Sequence, residues 1–437
     1  MEIHQAFRFE LDPSDRQRTS LSRAAGLSRF VWNWGLAARK ADYETRVKPA
    51  RASGEKVHSI TTFDQINAWN KAKAEIAPWS SEFSTRIPEH ALAAANDAYQ
   101  SWWRGLKAGR HVGPPRFKTR GKCRESFMLH GLLGVDPTGV TLPRLGRLRV
   151  KGSTGRLAKA QARILYATVS RTADRWFVSL TVERQIAEPI APAGEPVGID
   201  IGLSQSIVLS TGEVIQSPRP LKSALAQLRR TQRAVARSQR SSARRKVKVA
   251  KVARIHARVA NVRSNWLHKV SDRLTGEHQA IGHEHLGLAG LSRKKKGYRQ
   301  GRAWADLGAG ELFRQLGYKA AWRGVIVVVA AWNFPSSQLC FNCKERNQNL
   351  TLKDRLFACP SCGFRIDRDL NAALNLRPVA VMPTECVRLL RNTDETLNAR
   401  GGNVSPRSTG GGNTALPTWQ IPLNREPSTE MAALAAT

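Results

Sequence analysis

The chain has 437 residues, 41% of them hydrophobic, which is enough for two or three domains with their own cores. It carries 70 Lys and Arg against 34 Asp and Glu, and a net charge of +36 points to a polyanionic partner, nucleic acid ahead of a membrane surface. The longest apolar run, Val325 to Trp332, is eight residues and too short to span a bilayer. The first seven residues lack the pattern of a signal peptide, so a cytoplasmic protein is expected, one that uses its six cysteines for metal before disulfides.

His4 to Leu11 alternates and predicts a strand, and residues 20 to about 105 read as helical, with apolar positions at three- and four-residue spacings. A Pro/Gly/basic loop follows, Gly113-Pro114-Pro115-Arg116-Phe117-Lys118, and then β character over 125–185, at Val140–Leu142, Leu148–Val150 and Trp176–Val182. Ala187 to Glu195, with two prolines and a third just after it, reads as a linker. Beyond it, Pro196 to Gly202 is an apolar strand with Asp200 inside it, and residues 206–215 form a hairpin turning at Thr211-Gly212. A long helical pair is expected over 221–270, a strand ending at Glu284, a basic loop at 293–297, a helix near 310–323 and a strand at 325–329. Residues 401–437 carry two Arg and two Glu among glycine-rich stretches and read as disordered.

Cys340/Cys343 and Cys359/Cys362 are two C-x-x-C pairs separated by fifteen residues, the spacing of a four-thiolate zinc site. Such ribbons are mostly structural, and a structural Zn2+ is expected here. Cys123 and Cys386 have no partner at ligand spacing and read as packed or free thiols. Three carboxylates stand out: Asp200 in an apolar strand, Glu284 at a strand end and Asp369 at a helix start. Each alone reads as a salt bridge or a cap. Together they form a set that divalent cations would compensate, with Mg2+ suited to all-oxygen ligands.

From Val214 to Val270 no residue is acidic while 16 are Lys or Arg, whereas solvated helices normally mix signs. Arg229, Arg230, Arg233, Arg237, Arg240, Arg244, Arg245 and Lys246 are therefore expected to bind nucleic-acid phosphates. Most of the helical tryptophans, Trp32, Trp34, Trp102 and Trp103 among them, are expected in the core. No Walker-type or G-x-G-x-x-G sequence occurs, so no nucleotide fuel is expected.

Gly198-Ile199-Asp200-Ile201-Gly202, Glu284-His285-Leu286, Pro335 to Cys343, Cys359 to Gly363 and Asp367 to Leu376 together resemble the core of the transposon-encoded TnpB (OrfB) proteins. Ser28 to Trp34, the loop 113–118 and Glu395 to Gly401 resemble that family too. The resemblance implies a multidomain α/β protein. It would combine a β-rich, barrel-like wedge domain (1–19 and 125–190), a helical recognition region (20–124), an RNase H-like (RuvC) nuclease domain (196–335 and 365–384), an inserted zinc ribbon (336–364) and a disordered tail (385–437). It also implies an RNA-guided DNA endonuclease, with a transposon-derived guide RNA and double-stranded target DNA as partners, a flanking motif read by the protein, and Asp200, Glu284 and Asp369 as its metal-binding catalytic residues. Asp367 is then a capping or supporting residue, and Lys294–Lys296 a lid or a plain surface loop. His283 and His285 depart from the family pattern around Glu284, and ordinary solvated or hydrogen-bonded roles are expected for both. The competing readings are a guided repressor with a dead nuclease, a strand-transferring transposase, and a zinc-ribbon protein that only binds RNA.

Overall fold

The computed structural model describes residues 1–381 apart from Lys56 and residues 160–161, 293–299 and 352–353. The basic loop at 293–297, Cys386 and the tail lie outside the described residues. The N-terminal half is built on a seven-stranded antiparallel sheet in the order β2-β6-β7-β1-β5-β4-β3. Its strands are β1 (Glu2–Leu11), β2 (Ser126–Leu129), β3 (Gly134–Asp136), β4 (Gly139–Leu142), β5 (Gly146–Lys151), β6 (Arg163–Thr172) and β7 (Arg175–Gln185). β1 pairs with β7 over its whole length, from Glu2↔Gln185 to Leu11↔Trp176.

Between β1 and β2 run α1 (Asp15–Asp42), α2 (Lys48–Ala52), α3 (Thr62–Ile76) and α4 (Arg86–Lys107), and a short α5 (Gly155–Lys159) precedes β6. α1 starts on a capping box, with Ser14 Oγ accepting from the Gln17 N–H and Gln17 Oε1 accepting from the Ser14 N–H. Leu21, Leu27 and Val31 of α1 and Leu92 of α4 pack into the same core as Phe127, Leu129, Val169 and Leu180 of the sheet. The helices and the sheet therefore share one interior.

Trp69 and Trp176 are buried and Trp34 packs half-buried against the same core, but Trp32, Trp102 and Trp103 are only half-buried, short of the core placement expected for most of these rings. Trp32 is kept at the surface by its partners. The Lys118 ammonium sits 3.5 Å over its ring, and Asn33 clamps the Lys118 backbone through bonds of 2.7 and 2.9 Å. Burial draws the Lys118 amine down to about 8.

The second half centres on a five-stranded sheet, β10-β9-β8-β11-β12. β8 (Val197–Ile201), β9 (Ile207–Leu209) and β10 (Val214–Ile215) run antiparallel in sequence, whereas β11 (Ala280–His283) and β12 (Ile326–Val329) lie parallel to β8. α6 (Pro220–Ala236) and α7 (Ala243–Glu277) form a long hairpin, followed after β11 by α8 (Leu288–Ser292), α9 (Gly301–Leu307) and α10 (Ala309–Arg323). The strand period of two divides the sheet's faces. Val197, Ile199, Ile201 and Ile281 bury against Leu267, Val270 and Leu274 of α7 and Leu312 and Leu316 of α10. Gly198, Asp200 and Gly282 alternate to the opposite face, where α11 (Arg368–Leu376) lies.

Glycine is required at two of these positions. A Cβ on Gly198 would fall 2.0 Å from the Ala373 carbonyl oxygen, and one on Gly282 2.2 Å from that of Leu376. α11 thus rests backbone-on-backbone across β8 and β11. Gly198→Ala is expected to destabilise the fold by about 1–3 kcal/mol, the usual range for overpacking. Gly202→Ala, whose Cβ meets nothing within 4 Å, serves as the near-neutral control. Thermal or urea unfolding measures both.

Candidate active site and metal centre

Register brings the first two acids together. β8 and β11 pair as Ile281↔Val197, Gly282↔Gly198 and His283↔Ile199. The next step along both chains sets Glu284, immediately beyond β11, abreast of Asp200 on the α11 face, one strand spacing away. α11 supplies the third acid. Ala373 sits over Gly198, and Asp369, one turn earlier in α11, reaches toward the carboxylates two residues further along the strands.

The electrostatics report the same gathering. Burial, then Glu284 and Asp369, push the Asp200 carboxyl well above the usual carboxylate range, with Arg368 opposing them. Burial and the charge of Asp369 push Glu284 up to about 7. As a set the three do not close to within 4.8 Å, unlike Cys340, Cys343, Cys359 and Cys362, or the trio of exposed Glu2 and His4 with half-buried Glu183.

Two arginines adjoin the site. Arg368 Nη2 lies 3.4 Å from one Asp369 oxygen and Arg355 Nη1 3.8 Å from the other. Arg368 is visible in the sequence between two aspartates, but no spacing or motif marks Arg355. Asp367 is the cap of α11: its Oδ1 accepts from the Asp369 and Leu370 N–H groups at 2.9 and 3.0 Å.

His283 points away from the acids. It is buried and stacked on Phe313 of α10 with ring centroids 4.2 Å apart. Its Nδ1 donates to the Glu284 carbonyl at 2.9 Å, which sets the tautomer, and burial lowers its pKa to about 4. His285 is exposed. The hydrogen-bonded and solvated roles expected for the two imidazoles match these placements.

Between β12 and α11 the chain forms a two-stranded hairpin, β13 (Leu356–Ala358) and β14 (Arg365–Asp367), over a small core around Phe357. The four thiols converge on one point, with Sγ–Sγ distances of 3.7 Å for Cys340–Cys362 and 3.5 Å for Cys343–Cys359. A tetrahedral zinc with bonds near 2.3 Å has edges of about 3.8 Å, so the donor set fits Zn2+. The Phe364 N–H draws the Cys362 thiol down to about 6, which favours the thiolate that a metal needs.

On the α6–α7 hairpin, Arg229, Arg230, Arg233, Arg237, Arg240, Arg244 and Lys246 are exposed. The ion pairs of α7 involve Arg254, Arg263 and Arg273 further along, and the seven have no acidic partner among the described residues. Arg245 differs. It is half-buried, and its guanidinium donates to the Val235 and Ser238 carbonyls, closing the C-terminus of α6. Among the described residues no helix is long and apolar enough to cross a membrane.

Residues 177–295 match the OrfB family model described as a probable transposase, residues 310–376 match a Cas12f1-like TNB domain, and residues 1–48 match a helix-turn-helix model. A Mycobacterium tuberculosis protein named "Putative RNA-guided DNA endonuclease" is 33% identical, over 93% of this chain and 94% of its own length. A Streptomyces pristinaespiralis protein of the same name is 33% identical, over 94% of this chain and 98% of its own. The chain belongs to the TnpB (OrfB) family. The TnpB-family fold is similar to that in a cryo-EM structure of a Cas12f1–sgRNA–target DNA complex, with a TM-score of 0.51 and 12% identity over 86% of this chain and 99% of that one. In this TnpB-family chain the segment matching the helix-turn-helix model folds as one strand and a single 28-residue helix, with a π-helical turn after it.

The raised carboxyl of Glu284 has a consequence for stability. The folded state holds this proton more tightly than the unfolded chain, so without divalent ions at the carboxylates the contribution of Glu284 to stability is fully present below about pH 4.5 and is lost as pH rises through about 7. Thermal midpoints of the zinc-loaded chain without added Mg2+ should therefore fall, over this range, relative to those of Glu284→Gln measured alongside.

Proposed function

We propose that this chain is a transposon-encoded, RNA-guided and Mg2+-dependent DNA endonuclease that cuts target DNA beside a short flanking motif with one RuvC-like site. The observation that carries the reading is the convergence of Asp200, Glu284 and Asp369, three acids distant in sequence: the charges of Glu284 and Asp369 raise the proton affinity of Asp200, and that of Asp369 raises the proton affinity of Glu284. The strand order, an antiparallel β8-β9-β10 followed by parallel β11 and β12, supports an RNase H-like nuclease domain. The N-terminal sheet and its helices fit wedge-like and recognition roles. The curated relatives' names support guided DNA cleavage.

In this reading Asp200, Glu284 and Asp369 hold the catalytic ions. Bound there, Mg2+ supplies an activated water and neutralises the leaving oxygen of the phosphodiester. Asp367 fixes the first turn of α11 and so the bearing of Asp369. Arg368 and Arg355 offset part of the carboxylate charge. The exposed cations of α6 and α7 line up on backbone phosphates of the guide–target hybrid, following duplex geometry and not base identity. Cys340, Cys343, Cys359 and Cys362 hold a structural Zn2+.

The acids also separate this reading from a guided repressor, since a dead nuclease is marked by the loss of one. The family description as a probable transposase keeps strand transfer as the second reading, and a requirement for copurified RNA tells the two apart.

Asp200→Ala and Asp369→Ala are each expected to abolish Mg2+-dependent cleavage of guide-matched DNA, by at least about a thousandfold, with RNA binding retained. Cleavage that persists in either variant overturns the site. Changing Arg229, Arg233 and Arg237 to Gln should lower the salt slope of hybrid binding by about 0.7–0.9 per lost phosphate contact, as read from binding isotherms at several salt concentrations.

A further inference from the structure

α11 is gripped on both sides. Its sheet-facing residues rest on Gly198 and Gly282, and its opposite face carries Asn371 and Asn375, one helical turn apart and 0% and 3% exposed. Both asparagines bond to the backbone that leads into the first cysteine knuckle. Asn371 Nδ2 donates to the Leu339 carbonyl at 2.7 Å, and its Oδ1 accepts from the Phe341 N–H at 3.0 Å, so this one amide brackets Cys340. Asn375 Nδ2 donates to the carbonyls of Leu339 at 2.7 Å and Ser336 at 3.0 Å. On the second strand side, the Arg368 N–H donates to the Arg355 carbonyl at 2.8 Å. β14 ends at Asp367, and α11 begins at the next residue with no linker between them.

We propose that Asn371 and Asn375 are positioning residues that make the zinc ribbon a structural part of the carboxylate site. The thiolate-bound metal holds the Cys340 knuckle rigid, the two amides transmit that rigidity to α11, and α11 sets where Asp369 stands relative to Asp200 and Glu284. Losing the buried Asn371 amide leaves the Phe341 N–H without its partner and the Leu339 carbonyl with Asn375 as its remaining side-chain donor, while losing Asn375 takes the side-chain donor from the Ser336 carbonyl, so either loss loosens α11 from the knuckle. Partners that support a metal site from behind its ligands typically change metal affinity by about 10–100-fold when removed. The inference rests on the proposed reading of the three acids as a metal site, but it makes a mechanical claim that stands apart from it.

The test uses the full zinc-loaded chain and two readouts. Mn2+ binding, followed by electron paramagnetic resonance, reports the carboxylates, because thiolates bind Mn2+ poorly. Amide hydrogen exchange over residues 368–376 reports α11 directly. In Asn371→Ala the zinc content should stay at one per chain, Mn2+ affinity should fall by about tenfold or more, and α11 should exchange about tenfold faster. Asn371→Asp, which can still accept from the Phe341 N–H, should show a smaller change. Wild-type Mn2+ affinity and wild-type exchange in a zinc-loaded Asn371→Ala chain would overturn the proposal. Should wild-type chain bind no Mn2+ that Asp369→Asn removes, the carboxylate reading is the one that fails, and exchange alone decides the clasp. If Asn371→Ala does not fold, Asn375→Ala and Asn371→Ser provide the same two readouts.

Discussion

Three carboxylates forced into one partly buried place repel one another, and much of the second half of the chain is arranged to hold them there against that repulsion. Burial and like charge raise Asp200 and Glu284 together, so the bare cluster holds protons that a divalent cation would displace. Such a site cannot depend on flexible side chains. Asp200 lies within a central strand, Glu284 follows the strand beside it, and Asp369 is borne by a helix resting on two glycines. Without those glycines, a side chain at either position would lift α11 from the sheet and with it the third acid.

Charge is segregated as strongly as it is concentrated. Asp200 and Glu284 lie on the sheet face that α11 covers, whereas the distal part of the α6–α7 hairpin exposes cations with no acid beside them among the described residues. Further down α7 the pattern changes. Arg254 pairs with Asp174 in the turn between β6 and β7, and Arg273 pairs with Glu213. The same helix is therefore a structural strut at one end and an open positive surface at the other. Exposed ion pairs contribute little individually, so the strut's hold comes chiefly from Leu267, Val270 and Leu274 in the core.

Much of this was legible in the residues. The cysteine spacing and the apolar strand around Asp200 each predicted what is found, because local pattern dictates them. What was not legible depends on tertiary placement. Arg355 meets Asp369 only because the ribbon hairpin folds back on α11. Arg245 looked like its basic neighbours but turns inward to cap a helix. The half-buried tryptophans show the limit of reading aromatics as core, since a ring can bury one face and offer the other to a lysine. His283 departs from the family pattern beside Glu284. Strand alternation sends it through to the other face of the sheet, a result obtainable from the period of two once the register with β8 is known.

The position of β1 bears on how the chain can be made. This first strand is an interior member of its sheet, flanked by β7 and β5, and its main partner ends at Gln185. Its ladder therefore cannot close until some 185 residues have been synthesised. Until then α1 and α4 have only a partial surface on which to bury Leu21, Leu27 and Leu92. Pairings this distant in sequence are slow to form and leave apolar faces exposed meanwhile. The nascent polypeptide thus passes through a long interval in which its opening segment waits for a mate, an interval during which holding chaperones would have most to bind.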